Sequence, residues 1–150
     1  MYRPKGVKIV KINTNYFGEL EVDENEILEF EKGMLGFEEL KKFVIIKDSE
    51  IFIEWLQSVE DTTSFAIMDP FVADNNYSFE LPEKIMEQLD IKSKEDVMIR
   101  TVVIIPEDIT KIRTNLQAPI VINTKLKKAT QIILDDSYPI RYEFYDKAGV

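Results

Sequence analysis

Apolar and polar positions alternate from residue 16 to 23 (YFGELEVD), with Tyr16, Gly18, Leu20 and Val22 on one side and Phe17, Glu19, Glu21 and Asp23 on the other. A period of two is that of a half-buried strand, and the second side is nearly all acid. Residues 43–46 (FVII), 51–59 (IFIEWLQSV), 65–68 (FAIM), 97–105 (VMIRTVVII), 119–122 (PIVI) and 130–134 (TQIIL) are short runs rich in β-branched or aromatic side chains. Such side chains pack well on a pleated surface, and polar turn-forming segments separate the runs, so each predicts a strand. Helical spacing is good in one segment only: Leu81, Ile85 and Leu89 lie four apart, with Pro82 suited to a first helical position. Ser93 followed by Asp96 marks a second helical turn, and residues 38–42 are a candidate for another. Many short strands and one or two short helices predict a mainly β fold, a small antiparallel sheet closed or folded over into a barrel-like form.

The chain of 150 residues has the length of one domain, and with no internal repeat and no Gly/Ser- or Pro-rich linker, one domain over 1–150 is expected. No apolar run is long enough to cross a bilayer, and the basic start of the chain has no apolar stretch leading to a cleavage site. The expected location is the cytoplasm. The absence of cysteine removes disulfides, thiol nucleophiles and Cys-based metal sites, and the absence of histidine removes Ser-His chemistry and His-liganded metals. Any catalysis would rest on carboxylates, Lys, Tyr or a hard cation.

Twenty-eight acidic residues against 19 basic ones give a net charge of -9. That sign repels phosphate backbones and favours approach by basic proteins, so direct binding of nucleic acid is not expected. The densest charge lies between Glu19 and Glu31, where Glu21, Asp23, Glu24, Glu26 and Glu29 also occur and no Lys or Arg interrupts. A solvated outer face that guards a sheet edge is the simplest account of it, a docking surface the next, and a hydrolytic dyad the least favoured. Asp69-Pro70 and Asp135-Asp136 lack calcium-loop spacing and read as turns, and no Gly-rich phosphate loop occurs. The basic cluster 125–128 (KLKK) reads as a solvated hairpin turn. No cofactor or metal is expected. A carboxylate-dependent hydrolase and a self-associating structural subunit are the competing readings.

Three ordered segments resemble the flagellar assembly factor FliW family. In YFGELEVDENEILEFEKGMLGFEEL (16–40), an acidic strand pair leads into an F-x-x-G-x-x-G-F-E turn met by Phe30, Gly33, Gly36, Phe37 and Glu38. In WLQSVEDTTSFAIMDPF (55–71) the matching positions are Leu56, Gln57, Ser58, Ala66, Asp69, Pro70 and Phe71. In NLQAPIVINTKLKKATQIILDD (115–136) they are Asn115, Leu116, Ala118, Pro119, Ile120, Val121 and Asn123. Glu31, Leu35 and Thr62 stand where many members have proline, and Ala129 where they have glycine; all four are expected in turns.

The resemblance implies a non-enzymatic, cytoplasmic partner switch. Such a protein binds flagellin and also the translational repressor CsrA, so that flagellin level is coupled to flagellin translation. Gly33, Gly36, Pro70 and Pro119 are expected to shape the backbone, and Trp55 and Phe37 to lie in the core. The candidates for the partner surface or its immediate support are Glu19, Glu21, Glu24, Gln57, Asp69, Phe71, Tyr77, Asn115 and Asn123. Tyr77 enters as part of a 74–79 stretch that suits an edge strand or a docking surface.

Overall fold

The computed structural model describes residues 6–48, 50–135 and 137–147. It opens with a two-stranded antiparallel ribbon of β1 (Ile9–Thr14) and β2 (Gly18–Asp23), with Thr14 opposite Gly18 and Ile9 opposite Asp23. The alternation read from the sequence holds within β2: Leu20 and Val22 are half-buried, while Glu19 and Glu21 are exposed. Tyr16 and Phe17 lie in the connecting turn instead, and both rings pack on Trp55, at 5.1 and 6.4 Å between centroids.

The remaining strands are β3 (Leu28–Phe30), β4 (Lys42–Lys47), β5 (Glu54–Ser58), β6 (Ser64–Met68), β7 (Val97–Ile104), β8 (Arg113–Thr114), β9 (Ile120–Asn123), β10 (Lys128–Gln131) and β11 (Tyr142–Glu143). Strands β7-β6-β5-β4-β3-β10-β9 are joined in that order, and β9 pairs back onto the N-terminal half of β7. Seven strands thus close into a barrel-like sheet, as expected, with no free edge around the ring. The closure contains a parallel pair, β3 with β10, in an otherwise antiparallel set. The C-terminal half of β7 continues beyond the ring to pair with β8, which pairs with β11.

The barrel encloses Leu28, Phe30, Phe43, Leu56, Ile67, Ile120 and Ile122. Phe30 and Phe43 meet edge-on with centroids 5.1 Å apart, and each buried aromatic of this kind contributes about 1.5–3 kcal/mol relative to an exposed one. Much of the outer surface is covered too. Ala66, Met68 and Val103 pack outward against Ala73, Ile112 and Phe144, while Val121 packs under Leu89 and Ile91. Burial on both faces explains why β6 and β9 read as unbroken apolar runs rather than alternations.

Helix α1 (Pro70–Ala73) is capped by Asp69, whose carboxylate accepts the Phe71 amide. Helix α2 (Glu83–Gln88) lies inside the expected 81–89 segment, with Pro82 just before its first turn. Residues 94–96 form the expected helical turn, of the tighter 3-10 type, capped by Ser93.

Four expectations are corrected. Residues 38–42 form no helix: they leave the glycine turn and Lys42 enters β4, because the Phe37 and Leu40 amides are spent closing successive tight turns. Ala129 is not a turn residue but sits in β10 opposite Phe30, buried, where a small side chain suits the interior of the ring. Phe37 is not core; it stands at the surface with its ring edge-on to Phe65. Trp55 is half-buried beneath the ribbon's tip. The strand expected at 130–134 runs at 128–131, and Ile133 is exposed. Asp136 lies outside the described residues.

Candidate functional site

Several of the polar candidates turn inward. Gln57 is buried, and its amide donates to the carbonyls of Ser58, Asp61 and Thr63 at 3.1, 3.4 and 3.3 Å, tying down the β5–β6 turn. Asn123 is buried at the end of β9. Its Nδ2 donates to Leu89 O at 2.8 Å, and its Oδ1 accepts the Lys125 and Leu126 amides, so one side chain joins helix α2 to the 125–128 hairpin turn. Asn115 repeats the cap: its Oδ1 accepts the Gln117 and Ala118 amides at 3.0 and 3.1 Å.

Tyr77 is buried, and its hydroxyl donates to Leu116 O at 2.8 Å. Burial, with Tyr138 beside it, pushes its phenol well above the usual range, so it remains a neutral donor. Residues 74–79 therefore form no edge strand; they are pinned from within, and Tyr138 exchanges hydrogen bonds with the Ser78 backbone. Tyr77→Phe removes only the hydroxyl and orphans a buried carbonyl. The expected loss is about 1–2 kcal/mol, read as a fall in the urea midpoint with unchanged slope.

Glu19, Glu21 and Glu24 remain at the surface, all on β2 or the 3-10 turn that follows it (Glu24–Glu26). Phe71 is 46% exposed, edge-on to Tyr77 at 6.0 Å. These four do not form one patch with the buried polar set. Among the described residues no group of three acids could hold a metal ion, and no helix is long and apolar enough to cross a membrane.

A cleft of about 400 Å3 does bring the three sequence segments together. Its floor is Met34, Phe65, Val102 and Thr114; Leu35, Ile104 and Ile140 stand around it; Arg113, Arg141, Asn115 and Gln131 supply the polar groups. The glycine turn positions one wall. Gly33 takes φ +67°, its amide donates to Phe30 O at 2.9 Å, and the Leu35 amide donates to Gln131 Oε1 at 3.0 Å across the mouth of the parallel pair. The extension of β7 beyond the ring builds the opposite wall, because Ile104 pairs with Arg113 there. Of the candidates named from sequence, only Asn115 lines this cleft; Leu35, Ile104, Arg113, Ile140 and Arg141 were not singled out. The glycine turn and Asn115 were the signals available.

Among the described residues the cleft contains no carboxylate, in a chain with 28 acidic residues. It therefore lacks the acid pair that a carboxylate-dependent hydrolase requires. Three of its exposed members are large aliphatics, and its charged members are both arginines: the chemistry on offer is apolar contact plus hydrogen-bond donation.

Residues 11–144 match the family model described as FliW protein. Proteins named flagellar assembly factor FliW from Caldicellulosiruptor saccharolyticus and Syntrophus aciditrophicus are 46% and 41% identical, over 90% and 89% of this chain and 90% and 87% of theirs. A crystal structure of the flagellar assembly factor FliW superposes with a TM-score of 0.85 at 34% identity, covering 89% of this chain and 96% of that one. With the sequence motifs, the closed barrel-like sheet and the matched span all in agreement, the chain belongs to the FliW family of flagellar assembly factors.

Proposed function

We propose that this chain is a cytoplasmic, non-enzymatic partner switch that binds flagellin and antagonises a CsrA-type translational repressor, so that flagellin level governs flagellin translation. Family membership supports the reading as a whole. The observation that carries it is the ribbon's acidic face: Glu19, Glu21, Glu24 and Glu26 are all exposed, on an element anchored through the packing of its tip on Trp55. A surface of that sign attracts a basic, RNA-binding protein and repels the RNA itself.

Calorimetric titration with the CsrA and flagellin of the source organism, separately and in competition, tests this. Binding of both with displacement of CsrA by flagellin is expected; no binding of either would defeat the reading. The acidic face has its own test. Changing Glu19, Glu21 and Glu24 to lysine is expected to slow association with CsrA by about tenfold or more at low salt and to flatten its salt dependence, with the melting temperature little changed. Stopped-flow rates that match the unaltered chain across a salt series would remove the acidic face from the mechanism.

A further inference from the structure

The cleft between the glycine turn and the β7–β8 extension has an uneven composition. The chain's arginines are Arg3, Arg100, Arg113 and Arg141, and of the three in the described residues Arg100 is committed to Glu54. The other two both line the cleft. Neither guanidinium has a hydrogen bond, ion pair or ring contact with a described residue. Glu143 sits across from Arg113 in the β8–β11 register, yet the two do not close an ion pair. The Asn115 carboxamide uses its oxygen on backbone amides and leaves its NH2 group without an acceptor among the described residues.

Among the described residues the cleft therefore presents three unspent donor groups and no acid, in a chain of net charge -9. Around them Leu35, Ile104 and Ile140 are 46%, 48% and 59% exposed. Large aliphatics gathered at one concavity mark an interaction site more than scattered ones do. The volume lies within the range of sites that admit a few side chains, and is far below that of a folded partner.

We propose that this cleft is the docking site for an extended apolar peptide segment of a protein partner that bears one or more carboxylates, which the Arg113 and Arg141 guanidiniums receive while its apolar side chains cover Leu35, Ile104 and Ile140. The proposal rests on the reading that the chain acts by binding proteins. Charge complementarity selects the occupant. A basic segment is refused by the two arginines, and a bare inorganic anion leaves the aliphatic rim in water. A carboxylate flanked by apolar residues satisfies both, and arginine's planar fork receives it through paired hydrogen bonds. A second copy of this chain would bring carboxylates, but it would also oppose two surfaces of strongly negative charge.

The test uses the full chain as bait for random linear peptides displayed on phage, with the strongest binder then synthesised with blocked ends. The expected result is enrichment of sequences in which Asp or Glu is flanked by apolar residues, and a loss of affinity of about tenfold or more for R113Q/R141Q. Leu35→Ser, which leaves the charges in place, is expected to weaken the same peptide. Glutamine is chosen over glutamate to avoid setting two acids across from each other at Arg113 and Glu143, and an unchanged melting temperature establishes that the variants fold. Absence of acidic-apolar enrichment, or a peptide that binds R113Q/R141Q as well as the parent, overturns the proposal. So does saturation by sodium decanoate with no peptide enriched, which would make the occupant a small amphiphile. Flagellin titrated against the same variants separates the cleft from the partner. Flagellin that fails to bind the parent chain defeats the proposed partner and leaves the peptide result standing. Flagellin that binds parent and variant alike, with the peptide also indifferent, defeats the cleft and leaves the proposed function intact.

Discussion

Gly33→Ala is expected to destabilise the chain by about 3 kcal/mol, lowering the melting temperature by roughly 10 °C. Two costs combine. The residue holds φ +67°, where an L side chain sets its Cβ too close to the following carbonyl, worth about 1–2 kcal/mol. A Cβ placed there would also stand 2.6 Å from the Cα and carbonyl oxygen of Glu38, which are backbone atoms with no rotamer to change. The turn must open, at a further cost of about 1–3 kcal/mol. Gly36 is the control: its φ is +85°, but nothing lies within 4 Å of an added Cβ, so Gly36→Ala is expected to cost only the conformational part, about 1 kcal/mol. Equal urea midpoints for the two variants would show that the approach of Glu38 is not what confines position 33. Because Leu35 and Met34 lie within this turn, the Gly33 variant is also expected to disturb the cleft wall.

Removal of either partner of the Glu54–Arg100 pair is expected to cost a similar amount, about 3 kcal/mol. The Nε–Oε1 distance is 2.6 Å, and the two side chains are 14% and 16% exposed, so water cannot replace the lost partner well. Arg100 also donates to Ile99 O at 2.8 Å, and Lys47 stands 3.9 Å from the other Glu54 oxygen, too exposed to substitute for it. The pair bridges β5 and β7 across β6, so it stitches three neighbouring staves of the ring. Glu54→Leu with Arg100→Met is expected to recover most of the loss, since two apolar side chains leave no charge stranded. The measurement is a double-mutant cycle on denaturant midpoints; strictly additive single and double losses would mean that the pair is not coupled.

Pattern made the longer strands legible and failed where pattern was short. Runs such as 43–46, 65–68 and 97–105 announced themselves because β-branched side chains fill both faces of a covered sheet. Strand β3 is three residues long and carries Glu29 within a stretch of acids, so its two inward residues, Leu28 and Phe30, looked like incidental apolar positions. Strands β8 and β11 have two residues each, too few for any period. Strand β10 was displaced from 130–134 to 128–131 because the caps supplied by Asn123 fix the hairpin turn, and hence the register, before the apolar run begins.

The site was harder for a related reason. Gln57, Tyr77 and Asn123 have polar tips, which sequence reading sends to the surface, yet each tip meets a backbone carbonyl inside the fold. Their place in the motifs reflects the scaffold's hydrogen bonding. The cleft residues Arg113 and Arg141 come from segments with no periodic signal, and only the pairing of β8 with β7 and β11 brings them beside Leu35.

The parallel pairing of β3 with β10 sets Glu29 and Phe30 beside Lys128 and Ala129, joining the first stave of the ring in chain order to the last. On a ribosome this seam is the late event. Until the segment around residue 128 has left the exit tunnel, β3 lacks the neighbour that covers one of its edges, and the ring stays an open sheet. Long-range closures of this kind carry a large loop entropy and slow folding. Competence is therefore acquired only once β10 has emerged, and a nascent fragment that stops before it keeps a sticky strand edge for chaperones to shield.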